Sequence, residues 1–232
     1  MISEEQRKRA LDEIRENITR SGQHIYMVIG ETTPRFAYTI GVSESAGVEL
    51  ILAGAVFYMR DDVEKILLEA VAHLKASRDR RFVEVAGLGS FTFREVDSSW
   101  AKELMLGVFD YYQKKDIPAP QIVPDQEHWT IDVPNMSLPW SATQEPVWKW
   151  LREPWTYMVR KDSTVVTDLA ALRGERVTEA CRWEEDEWEL FAGAGPDVAK
   201  DENASRCSWN ASGSGSIPGA SGKSGNRDRA VA

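Results

Sequence analysis

The sequence predicts an α+β protein: a mostly antiparallel sheet with helices packed on one face, joined to a small Trp-rich C-terminal module. Three observations carry this. Apolar runs of strand length are linked by short Gly-containing segments, at Ser43 to Gly47 and at Gly87 to Gly89, which is hairpin spacing. Between those hairpins, Val63, Ile66, Leu67, Ala70, Val71 and Leu74 recur with the period of an amphipathic helix. The resulting order, three strands, a helix, two strands, a helix and two strands, mixes hairpins with helices instead of alternating them singly.

The elements follow in order. Ser3 and Gln6 form a capping-box pair ahead of Ala10, Leu11, Ile14 and Ile18, and Gly22 is placed to end that helix. His24 to Gly30, Phe36 to Val42 and Val48 to Ala53 read as three antiparallel strands. Asp61 or Asp62 caps the next helix. Phe82 to Val85 and Ser90 to Val96 form the second hairpin. Asp97 or Ser98 starts one helix carrying Ala101, Leu104, Met105, Val108 and Tyr112, and Pro118 and Pro120 bar further helix. Gln121 to Val123 and Trp129 to Val133 read as short strands around a Pro124-Asp125 turn.

Pro134, Pro139 and Pro146 mark a boundary, dividing residues 1–135 from a module at 136–202. In that module Glu153 to Arg160 and Thr164 to Val166 read as extended, and Val177 to Trp183 and Trp188 to Ala192 flank an acidic turn. It is expected to dock through Trp148, Trp150 and Trp155. Residues 203–232 are rich in Ser and Gly, and their low apolar content predicts a disordered tail.

The formal charge of −9 makes nucleic acid and anionic membrane poor partners. Two cysteines are too few for a disulfide scaffold, and no apolar leader or membrane-length run is present, so a cytoplasmic setting is expected. Three scattered histidines do not make a metal site, and neither a phosphate-binding Gly loop nor a nucleophile elbow occurs. No cofactor is expected.

Within apolar strands, the polar residues are the informative ones. Tyr38 and Thr39 on one strand, Glu49 on the next, His24 on a neighbouring strand, Gln121 and Asp125 form the candidate pocket at one end of the sheet. A buried carboxylate needs hydrogen-bond partners, so Glu49 with a Tyr or Thr hydroxyl is either a satisfied core group or part of an acid–base site. Nine tryptophans suggest a contact surface. Trp148, Trp150 and Trp155 with Glu184, Glu185, Asp186 and Glu187 are the candidate interaction surface, suited to a protein partner with a basic face. A non-catalytic binding protein is the leading expectation, and a hydrolase-like enzyme using the sheet-end pocket is the alternative.

Four segments in sequence, GQHIYMVIGE, RFAYTIGV, VELILAG and PAPQIVPDQEHWTID, together resemble the DUF4262 family over about residues 20–135. FAYTIG is the most specific of them. The chain departs from the family pattern at Gln23, at Gly47 to Glu49 and at Gln126 to Trp129. The resemblance implies a fold and no particular activity.

Overall fold

The computed structural model describes residues 3–30, 33–77, 81–114 and 116–193, and the backbone of 207–210 and 215–216. Ser3 caps α1 (Glu4–Ser21): its hydroxyl accepts the Gln6 N–H while the Gln6 side chain accepts the Ser3 N–H. Gly22, at φ 79°, ends the helix. Then come β1 (His24–Val28), β2 (Phe36–Ile40), a one-turn helix α2 (Ser43–Ala46), β3 (Ile51–Ala53) and α3 (Arg60–Ala76). The hairpin β4 (Phe82–Val85) and β5 (Gly89–Arg94) leads to α4 (Ser98–Leu104), α5 (Leu106–Tyr112) and β6 (Gln121–Pro124).

These six strands form one sheet in the order β1-β2-β3-β6-β5-β4. All neighbours are antiparallel except β3 and β6, which run parallel with Ile51 opposite Gln121. The parallel step exists because the chain leaves β3 and returns only after α3, the β4–β5 hairpin and α4–α5.

The α+β class holds, but helices cover both faces of the sheet and not one. Every residue of β2 is buried, as a strand covered on both sides must be. Phe36, Tyr38 and Ile40 share a core with Trp100, Leu104 and Val108 of the α4–α5 layer. Ala37, with Leu50 and Leu52, packs on Val63, Ile66 and Leu67 of α3. Two apolar helical stripes thus meet two apolar sheet faces.

Three expected elements differ. The strand foreseen at 48–53 starts only at Ile51, because Glu49 turns its side chain inward onto the Gly41 and Ser43 N–H groups. The helix after Asp97 breaks at Met105 (φ −105°, ψ 38°). There Gly107 approaches the sheet: its N–H donates to the Tyr38 hydroxyl at 3.2 Å, and an added Cβ would lie 2.7 Å from that oxygen. Trp129 to Val133 is a turn and not a strand, since Ile131 N–H donates to Leu172 and Val133 N–H to Thr130.

At the centre of that turn, buried Asp132 accepts from Thr130 Oγ1 and from Val56 N–H, and burial pushes its carboxyl upward. Gly54 faces the same turn at φ 71°, where a Cβ would overlap the Asp132 carbonyl. A left-handed backbone and a rigid peptide on the other side leave no direction for relief. Gly54→Ala is therefore expected to cost about 1–3 kcal/mol, measured as a lowered urea midpoint with an unchanged slope.

Beyond the 3₁₀ helix Pro146–Leu151 come β7 (Thr164–Thr167), α6 (Leu169–Leu172), β8 (Val177–Arg182) and β9 (Glu187–Ala192). The segment Glu153 to Arg160, expected to be extended, forms no strand. Of the tail at 203–232, the structure describes β10 (Cys207–Asn210) and β11 (Gly215–Ser216), which pair with each other and, through β10, with β7. The rest of the tail lies outside the described residues. The second sheet runs β11-β10-β7-β9-β8.

Candidate functional site

Glu49 is fully buried and hydrogen-bonded on both oxygens. Oε1 accepts from Tyr112 Oη at 2.6 Å, Ser43 N–H at 2.9 Å and Gly41 N–H at 3.1 Å. Oε2 accepts from Thr39 Oγ1 at 2.6 Å, and Thr39 in turn accepts the Leu50 N–H. Desolvation raises the Glu49 carboxyl, opposed by these four donors. Burial and the adjacent carboxylate together push the Tyr112 phenol well above its usual range. The network closes the β2–β3 connection onto the end of α5. Tyr112, placed among the apolar helix positions from sequence, is its unforeseen member.

Of the six candidate pocket residues, only Thr39 and Glu49 touch. Tyr38 points to the opposite face, as the period-two alternation of a strand requires, and burial pushes its phenol up. His24 pairs with Asn17 of α1 (Nδ1 to Nδ2, 3.0 Å), and burial lowers its pKa against the pull of Glu13. Gln121 donates to the Pro134 carbonyl at 2.9 Å, pinning the chain after the Asp132 turn. The sheet-end pocket expected from sequence is thus five separate places, with Tyr38 parted from Thr39 and Glu49 because β2 sends its neighbours to opposite faces.

Asp125 belongs to a cluster of its own. Its Oδ2 accepts the Ser90 N–H at 2.8 Å, and its Oδ1 lies 2.6 Å from His128 Nδ1. Burial acts to raise this carboxyl, but the Ser90 and His128 bonds hold it below the usual range. His128 stacks on Tyr58 and meets Phe57 edge-on. The Asp-x-x-His spacing at 125 to 128 was the signal for this pair. Asp125 also accepts the Glu127 and His128 N–H groups, so it shapes the turn that carries its own partner.

A large concavity lies elsewhere, between α1, the outer strands β1 and β2, and the α4–α5 layer. It has a volume of about 880 Å³. Its walls include Leu11, Ile14, Val28, Phe36 and Leu104, with Tyr38 also lining it. An Arg7–Asp110 ion pair joins α1 to α5 beside it, holding the Asp110 carboxyl low. A surplus of apolar residues on α5, where Leu106 follows a stripe already complete, was the sequence signal for it.

The candidate interaction surface divides as well. Trp148 is fully buried in the sheet core, edge-on to Trp100 and donating Nε1–H to the Asp132 carbonyl at 2.8 Å. It is a core residue, because its indole finds there both apolar walls and an acceptor. Trp150 and Trp155 instead meet each other and Tyr157, with centroids 4.7 to 5.4 Å apart and Lys149 Nζ 4.2 Å above the Trp150 ring. Past this triad, Met158 is fully exposed.

The acidic turn Glu184 to Glu187 joins β8 to β9 and lies close to this segment. Thr164 N–H donates to the Asp186 carbonyl, and the Arg160 guanidinium sits in the field of Asp186 and Glu185. Arg182 braces the turn by donating to the Glu184 and Glu185 carbonyls at 3.1 and 2.6 Å. Trp183, unremarked in the sequence reading, stands 65% exposed at its start.

Among the described residues no group of three or more His, Cys, Asp or Glu side chains is arranged to hold a metal ion. No described helix is long and apolar enough to cross a membrane.

Fold and sites together define an α+β domain whose sheet is sandwiched by helices and which carries an apolar cavity, followed along the chain by an aromatic cluster and an acidic turn. Residues 17–130 match the family model described as "Domain of unknown function (DUF4262)". That match falls within the α+β domain and agrees with the resemblance carried by its four motifs. Comparison with curated proteins and with solved structures finds no significant match.

Proposed function

We propose that this is a non-catalytic binding protein that engages a protein partner with a basic face through the surface formed by segment 155–160 and the 183–187 turn. One observation carries the reading: Trp183 stands open to solvent immediately before four consecutive carboxylates on a braced turn, and Tyr157 (57% exposed) and Met158 are open on the segment whose Arg160 lies in the field of Asp186 and Glu185. Isolated exposed apolar residues are ordinary, but several grouped within a charged rim have the composition of a protein interface. Arg182 holds the turn in place, so little ordering is required on binding. A cytoplasmic setting belongs to this reading and agrees with two cysteines in 232 residues. Nucleic acid is disfavoured as a partner by the net charge.

The catalytic alternative finds less support. Glu49 spends both oxygens on four donors, which suits a core network better than a general base.

The test is affinity capture from lysate followed by calorimetric titration of each purified partner. Trp183→Ala is expected to weaken binding by about 2 kcal/mol, roughly thirtyfold. Glu184→Lys with Glu185→Lys is expected to slow association and flatten its salt dependence. Partners that bind both variants as they bind the parent would remove the proposal.

A further inference from the structure

The cavity between α1 and α5 has no part in that surface, and its chemistry is different. At about 880 Å³ it falls within the roughly 300–1,000 Å³ typical of small-molecule sites. Its walls are apolar, and the polar groups that line it are mostly charged. The charge there is of one uncompensated sign. Five charged residues line the cavity: Arg7, Lys102 and Lys114 against Glu103 and Asp110, a balance of +1 on a chain of −9. Both carboxylates are already spent, Asp110 on Arg7 and Glu103 on Arg152 from outside the cavity. Lys102 and Lys114 form no ion pair among the described residues. They flank α5 in sequence, and both line the cavity. Leu106, on the wall between them, is 65% exposed, an apolar side chain left without a cover.

We propose that this cavity binds an amphipathic monocarboxylate, with an unbranched hydrocarbon body against Leu11, Ile14, Val28, Phe36 and Leu106 and its carboxylate at Lys102 or Lys114. The apolar walls favour the body by removing it from water. Lys102, which shares its field with Asp97, and Lys114 favour an anionic head over a neutral or cationic one of the same length, in a protein whose overall charge would otherwise repel it. Tyr38 lines the same cavity with its hydroxyl accepting the Gly107 N–H.

The test uses the full chain and three probes of equal length: dodecanoate, dodecanol and dodecyltrimethylammonium, each titrated calorimetrically below its micellar concentration. Dodecanoate is expected to bind one per chain, about tenfold tighter than dodecanol, with the ammonium weakest. Lys102→Glu with Lys114→Glu should remove the preference for dodecanoate and leave dodecanol affinity unchanged. Leu106→Glu should weaken both by at least tenfold. All three substituted side chains are exposed, so thermal melting should show each variant folded.

Three results would overturn the proposal. The first is no dodecanoate binding to the folded chain. The second is equal affinity in Leu106→Glu. The third is a dimer in sedimentation that Leu106→Glu dissolves, which would make this face a contact between two copies.

Discussion

Replacing Trp148 with alanine is expected to lower the free energy of unfolding by about 3–5 kcal/mol, the range for deleting a buried indole. For a chain of this size that is a fall in Tm of roughly 6–20 °C. The effect is large because the side chain makes three attachments at once. It fills the space beside Phe36 and stands edge-on to Trp100, with ring centroids 6.4 and 5.8 Å away. Its N–H satisfies the Asp132 carbonyl, in the turn that also receives Val56 N–H. Alanine leaves a cavity and a buried carbonyl short of its donor. Trp150→Ala provides the contrast. That ring belongs to the half-exposed triad with Trp155 and Tyr157, and its loss should cost well under half as much in the same thermal melt. Equal shifts for the two variants would mean that Trp148 is not the anchor described.

Glu49→Ala is expected to be comparably damaging, at about 3 kcal/mol or more, because it takes the acceptor from the Thr39 and Tyr112 hydroxyls and the Ser43 N–H and leaves Gly41 N–H with Tyr112 Oη alone. Glu49→Gln separates the hydrogen-bonding role from the charge. Its amide oxygen can accept from the same three donors as Oε1, so its cost should be only about 1 kcal/mol. What it removes is a titration. The Glu49 carboxyl is raised in the fold, chiefly by desolvation, so the native state holds its proton at pH values where the unfolded chain has lost it. The stability this contributes is fully present below the unfolded value, near 4.3 for Glu. It is lost as pH rises through the folded value. The stability of the parent relative to Glu49→Gln should therefore fall as pH rises across that window and then level off. Paired urea titrations from acid to neutral pH read this difference directly, and a flat or rising difference would contradict the assignment. Acidic groups held low, such as Asp110 and Asp125, act in the opposite direction but cancel in the comparison.

Both residues were visible in the sequence as anomalies, Glu49 as a charge in an apolar run and Trp148 as one of a dense tryptophan group. Their roles were not visible. Glu49 was paired from sequence with Tyr38 or Thr39, and hydrogen-bond geometry selects Thr39 and adds Tyr112 from 63 residues away. Trp148, Trp150 and Trp155 look alike in a Pro-interleaved stretch, yet one is a core residue and two belong to a half-exposed cluster. What separates them is the site Trp148 fills between Phe36, Trp100 and the Asp132 carbonyl.

What the sequence alone determined about this protein is local. The capping box of α1, the apolar stripe of α3, the hairpin at Gly87 to Gly89 and the alternation along β2 each follow from interactions within a few residues, where backbone geometry and side-chain period leave little choice. Tertiary structure decided which faces met. It put α3 and α4–α5 on opposite sides of the sheet, turned Trp129 to Val133 from a strand into a turn around Asp132, and opened the cavity beneath Leu106. Each of these depends on the partner that a polar or apolar face finds across the molecule, between segments that carry no mark of one another in their order along the chain.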